Sequence, residues 1–161
     1  MDRQLTKHFR LYHFKVSSSY PDIAEQIVVD ELEAWKYYML CSTILQPVRD
    51  FINNPVFITS GKRSDKLNKL IGGSKTSQHI LSEASDLIVH ETAMLPDMFE
   101  FIKDKLPNAF LLLILYLKKD YTPKFIHVSL PDITLIKRKK ILIHYADDYY
   151  QWEDLWSSIQ R

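Results

Sequence analysis

The chain has 161 residues, 46% of them apolar, which suits one ordinary hydrophobic core and reads as a single domain over residues 1–161. Lys and Arg number 21 against 20 Asp and Glu, a formal charge of +1, which gives no electrostatic ground for nucleic acid or an anionic membrane surface as a partner. Cys41 is the only cysteine, so no intrachain disulfide can form; the start Met1-Asp2-Arg3-Gln4 lacks the apolar core of a secretory signal, and the longest apolar run, Ala109 to Leu117, is too short to span a bilayer as a helix.

The elements follow from periodicity and breakers. Ser17 to Asp22 is a loop leading into a helix. From Ile23 to about Arg49, apolar residues recur at helical spacing (Ile27, Val28, Leu32, Trp35, Tyr38, Met39, Leu45), and Pro47 marks a kink or an end. Cys41 falls within this stretch as a core residue. Pro55 to Ser60 reads as a strand leading to Gly61, and Ser64 to Leu70 as a short helix. Gly61, Gly72 and Gly73 are the only glycines, and they cluster where the backbone turns sharply or approaches a ligand. Ala84 to His90 is a second strand, and Met94 to Leu106 a helix entered through Pro96 and closed before Pro107. Phe110 to Leu117 and Lys124 to Leu130 form a hairpin, and Lys139 to Tyr145 adds an edge strand. The aromatic and acidic tail from Asp147 closes with a short helix. Lys137-Arg138-Lys139-Lys140 is a local basic run, read as a solvated turn or strand edge. This order predicts an α+β fold with a small mixed or antiparallel sheet and flanking helices.

Three residues stand out chemically. His79 and Asp86 lie in Ser77-Gln78-His79-Ile80-Leu81-Ser82-Glu83-Ala84-Ser85-Asp86, and His127 lies in Phe125-Ile126-His127-Val128-Ser129. Two imidazoles and one carboxylate suit zinc and leave its fourth position open, as in catalytic rather than structural sites. With one carboxylate among the ligands the centre keeps a net positive charge and remains a useful Lewis acid.

The surrounding text carries a resemblance. Ser60-Gly61-Lys62-Arg63-Ser64, the run Gly72-Gly73-Ser74-Lys75-Thr76-Ser77-Gln78-His79, the spacing from His79 to Asp86, and Phe125-Ile126-His127-Val128-Ser129 follow S-G-Y-R-S, S-x-H-x-x-G-x-A-x-D and W-x-H-[VI]-S in order. The chain thus resembles the zinc D-Ala-D-Ala carboxypeptidase family of metallopeptidases, especially its short single-domain members from phages and bacteria, from about Leu5 to Arg138. The resemblance implies a hedgehog/DD-peptidase-like fold and a zinc held by His79, Asp86 and His127. It also implies Arg63 gripping a substrate carboxylate or the transition state, Ser77 contacting substrate, and a peptidoglycan stem peptide as partner. A planar guanidinium suits a bidentate grip on a carboxylate. The expected protein is a monomer made in the cytoplasm without a signal peptide, reaching a cell wall by phage lysis or another delivery route.

Four positions depart from the family pattern. His13, in Leu5-Thr6-Lys7-His8-Phe9-Arg10-Leu11-Tyr12-His13-Phe14, stands where the opening segment of short members has an acid. Lys62 replaces the motif tyrosine, and Ser82 a glycine, where a positive φ would strain serine. Most consequentially, aligning Leu113-Ile114 with the family's D-Q-L-I-x-E places Tyr116 at the catalytic glutamate. With a reference pKa of about 10, tyrosine is a poor base at neutral pH, although it can donate a hydrogen bond to an oxyanion. Two readings follow. One is an active peptidase whose base is Glu83, Asp120 or a substrate group, and the other is a zinc-binding module impaired in hydrolysis that binds wall peptide or serves a structural role. Tyr116 is expected across the hairpin from His127, with its hydroxyl toward the metal.

Overall fold

The computed structural model describes residues 2–131 and 139–159; Lys137 and Arg138 of the basic run lie outside them. The helical stretch expected over Ile23 to Arg49 is broken once. A short α1 (Pro21–Glu25) ends, and Asp30 then caps a new helix, accepting from the Glu33 amide at 2.8 Å while the Glu33 carboxylate accepts from the Asp30 amide at 3.1 Å. This reciprocal capping box starts α2 (Glu31–Leu40). A π-turn over Cys41–Leu45 joins α2 to α3 (Gln46–Ile52). Pro47 therefore neither ends nor breaks the helix, since widening the turn ahead of it accommodates its ring and its missing N–H. Asn53, left-handed at φ 47°, closes α3.

Six strands form one mixed sheet in the order β1-β2-β4-β3-β5-β6. They are β1 (Val56–Ser60), β2 (Ala84–Val89), β3 (Leu112–Leu117), β4 (Pro123–Ser129), β5 (Lys140–Tyr145) and β6 (Asp148–Gln151). All neighbours are antiparallel except β3 and β5. The strand expected at the edge, β5, is interior; β6 returns along it through Ala146 and Asp147, both at positive φ, and takes the edge. Two left-handed residues between paired strands suit the twist of a tight hairpin. Short α4 (Asp65–Leu70), capped by Ser64, follows β1, while α5 (Leu95–Lys105) packs on β3 and β4 and α6 (Trp152–Ile159) on β5. The α+β class is as expected. Among the described residues no helix is long and apolar enough to cross a membrane.

The sheet has two chemically different faces. Leu87, Ile126, Leu115 and Ile143 share one register row, and with Leu113 and Val128 they join a hydrophobic cluster with α3 and α5 that runs from Leu5 to Trp152. Strand alternation sends the intervening residues to the other face. There, one row runs Ser60, Asp86, His127, Ile114, Leu142, and the next runs Phe125, Tyr116, His144, Tyr149.

Candidate metal centre

Asp86 and His127 face each other as direct partners of β2 and β4, and His79 reaches them from the loop ahead of β2. All three are buried, at 7%, 8% and 2% exposure. Asp86 Oδ1 lies 2.8 Å from His127 Nδ1 and 3.3 Å from His79 Nε2, and the two nitrogens are 3.2 Å apart. A tetrahedral centre with bonds of about 2.0–2.1 Å has edges of about 3.3–3.4 Å, so the three atoms stand close to the spacing of three ligand corners. The residues fit a metal ion on that ground. Asp86 is buried, which opposes its ionisation, but the charge and hydrogen bonds of His79 and His127 outweigh burial and hold it well below the usual carboxylate range. Burial pushes His127 down, toward the neutral form a ligand needs.

Two of the three residues, His79 and Asp86, are oriented by a further group. His79 Nδ1–H donates to the Gly61 carbonyl at 2.8 Å, which leaves Nε2 as the free lone pair. Gly61 must be glycine: a Cβ there would come within 2.3 Å of the Phe14 carbonyl oxygen. Arg63 donates from a terminal nitrogen to Asp86 Oδ2 at 3.0 Å and from Nε to Ser60 Oγ at 3.0 Å. The arginine thus lies in the metal cleft as expected, holding the third ligand.

The loop carrying His79 is clamped to α2 by two lysines. Lys62 Nζ donates to the Ile80 carbonyl at 2.7 Å and pairs with Glu33, while Lys36 Nζ donates to the Leu81 carbonyl at 2.8 Å and to Glu83 at 2.9 Å. Lys62 in place of the motif tyrosine therefore has a structural task. Ser82 does adopt the left-handed conformation, at φ 59°, fully buried with its hydroxyl beside the equally buried Tyr37 hydroxyl.

A cavity of about 890 Å³ opens over the cluster. Arg63, Ser77 and Tyr116 all line it with the three ligands, so the topology brings every expected site residue to one cleft. Tyr116 is displaced from its expected partner, however. The residue opposite His127 is Ile114, and Tyr116 faces Phe125. Pairing Tyr116 with His127 would need a register shifted by two residues, which the closure of Leu117 on Pro123 forbids. Tyr116 instead stacks between Phe125 and His144, at 4.1 and 4.7 Å between ring centroids, with its hydroxyl 3.3 Å from that of Tyr149. Burial, then the Tyr149 hydrogen bond, push its phenol further up, so it serves as a hydrogen-bond donor and not as a base. The two substitute bases are also displaced: Glu83 is paired to Lys36, Asp120 is held by Thr122 in the exposed hairpin turn, and neither lines the cavity. Asp86 is the only carboxylate among the described residues that do.

Tyr149 also lines the cleft and escaped the sequence reading, and with it comes Lys140, which the sequence offered only as part of a solvated basic run. No local signal marks them; they arrive there because β5 pairs with β3 and β6 folds back on β5.

Two histidines and a carboxylate around a common point, at the floor of an open cleft, form a group that could hold a metal ion, the arrangement used by metal-dependent hydrolases. A family model, Peptidase M15, matches residues 19–129, and the chain belongs to that family of zinc-dependent peptidases, which act on peptides. The match takes in all three ligands, Arg63, Ser77 and Tyr116, and stops before β5 and β6. No curated protein matches the chain.

Proposed function

We propose that this chain binds peptidoglycan stem peptides at a zinc-centred cleft and hydrolyses them slowly or not at all. The observation that carries the reading is the carboxylate inventory of the cleft: Asp86 alone, already committed to the two histidines and Arg63. His79 Nε2, Asp86 and His127 Nδ1 would hold the ion. Zinc in such a site supplies Lewis acidity toward a carbonyl and acidifies water. Arg63 keeps Asp86 oriented and leaves guanidinium donors facing the cleft for a substrate carboxylate. Ser77 offers its hydroxyl to the peptide. The paired hydroxyls of Tyr116 and Tyr149 can donate to an oxyanion, but among the described residues no further carboxylate lines the cleft to take and return a proton.

A second reading, an active stem-peptide peptidase in which the Tyr116 hydroxyl stabilises the oxyanion, draws on the complete ligand set and on Arg63 sharing its cleft. Incubating the zinc-loaded protein with purified muropeptides separates the two. Retention on the protein without new amine termini is the expected result. Rapid release of new amine termini overturns the impaired reading in favour of the second, and neither retention nor cleavage overturns both.

A further inference from the structure

A second cavity, of about 530 Å³, lies away from the metal centre between the N-terminal segment, α3 and β1. Its size falls in the range of about 300–1,000 Å³ usual for small-ligand sites. Four of its lining residues are basic or imidazole groups, His8, His13, Lys15 and Arg49, and none is acidic. Among the described residues, the side chains of Lys15 and Arg49 make no ion pair and no hydrogen bond, so both cations are available.

The hydrogen bonds around the histidines decide which ring nitrogen is protonated. Gln46 Oε1 accepts from the His8 amide at 3.1 Å, which identifies the other end of that amide as the nitrogen. That nitrogen lies 2.8 Å from Asp50 Oδ1 and 2.8 Å from His8 Nδ1, so Nδ1 accepts and the proton of neutral His8 sits on Nε2. His13 Nδ1 accepts from the Arg10 amide at 3.1 Å, with the same consequence. Every one of these four side chains is therefore a donor. The neighbouring carboxylates are spoken for: Asp2 pairs with Arg10, and Asp50 takes the Gln46 amide. The rest of the lining is apolar or aromatic, with Phe9, Val16, Val56 and Ile58 buried or half-buried and Tyr12 and Phe57 exposed at the rim.

We infer that this cavity binds a small organic anion, a carboxylate or phosphate monoester on an apolar body, with Arg49 and Lys15 on the charge and the aromatic wall on the body. Charge-assisted hydrogen bonds from a guanidinium are the strong contacts of such a site, and apolar walls with a few convergent polar groups are its usual make-up. The inference is independent of whether the metal cleft hydrolyses anything.

Calorimetric titration of the zinc-loaded protein with phenyl phosphate and with octanoate tests it, with inorganic phosphate and benzyl alcohol as probes of charge alone and body alone. Histidine-selective NMR of the same samples reports the location. Saturable binding of at least one of the two amphiphilic anions is expected, with shifts at His8 and His13. Arg49→Gln and Lys15→Gln should each weaken it about tenfold, the loss of one charged hydrogen bond, and the two single-group probes should bind at least that much more weakly. Shifts confined to His79 and His127, affinity unchanged in both folded variants, inorganic phosphate binding as tightly as phenyl phosphate, or no saturation into the millimolar range would each overturn the assignment. Lys15, on an irregular segment, keeps the test decisive if Arg49→Gln perturbs α3.

Discussion

The two adjacent rows on the open face of the sheet have been built to different ends. In the ligand row, Asp86 and His127 meet across β2 and β4, and a network of donors and acceptors supports them: Gly61 on His79, Arg63 on Asp86 with Ser60 behind it, Lys62 and Lys36 on the loop between. One step along, Phe125, Tyr116, His144 and Tyr149 form an aromatic row with two hydroxyls and no carboxylate. Metal binding and proton transfer are separable tasks, and the two rows differ accordingly: the first carries a His-Asp-His group that could hold an ion, the second no carboxylate. On the function proposed above, such an arrangement would hold and polarise a peptide without an efficient route for its proton.

The largest effect is expected from removing the ligand row's own carboxylate. Asp86→Ala should abolish zinc retention and leave the Arg63 guanidinium buried without its partner, a loss of about 3–5 kcal/mol for a broken buried pair. Metal content after dialysis and urea unfolding of the metal-free protein read the two consequences separately. Stoichiometric zinc in Asp86→Ala would show that the metal sits elsewhere. Next comes Tyr116→Glu, which returns a carboxylate to the aromatic row. With zinc retained, muropeptide hydrolysis should rise on the order of 10²–10⁴-fold, the usual contribution of a general base. If Tyr116→Glu binds zinc and gains nothing, while wild type and Tyr116→Phe cleave at equal rates, the proton-transfer group lies outside this row and the contrast between the rows fails.

A smaller effect sharpens the same comparison from the metal side. Arg63→Gln keeps a donor near Asp86 but loses the charge and the two-sided grip on Asp86 and Ser60. Partners of metal ligands typically contribute about 10–100-fold in metal affinity, and zinc competition against a chelating dye should show a loss in that range. An unchanged zinc affinity with weakened peptide retention would assign Arg63 to substrate alone.

The ligand row was legible in the sequence because its information is local: His79 and Asp86 lie in one short motif, and His127 follows in a strand whose alternation puts it on the same face. The aromatic row was only half legible. Tyr116 could be named from motif alignment, yet its partner could not, because the hairpin register depends on how Leu117 closes on Pro123 across an irregular turn. Tyr149 was invisible for a different reason. The β5–β6 hairpin turns on Ala146 and Asp147, and alanine carries none of the Asn-Gly or Asp-Gly signal by which such turns are found. The helical stretch failed in the opposite direction, since Pro47 looked like a stop while the π-turn at Cys41–Leu45 absorbed it. Long-range pairing and local backbone adjustment, rather than residue chemistry, were the missing information.

The smallest predicted effect concerns strain within the well-supported row. Ser82 closes the loop that carries His79, sits at φ 59° and is fully buried beside the Tyr37 hydroxyl. A left-handed backbone costs a non-glycine residue roughly 1–2 kcal/mol. Opposing this, glycine gives the unfolded chain more freedom, by up to about 1 kcal/mol. Ser82→Gly should therefore stabilise the protein by about 1 kcal/mol, read as a higher urea midpoint at unchanged slope, with zinc content unaltered. A lower midpoint would mean that the serine hydroxyl contributes more through Tyr37 than its backbone strain costs, and that the ligand row carries no strain for glycine to relieve.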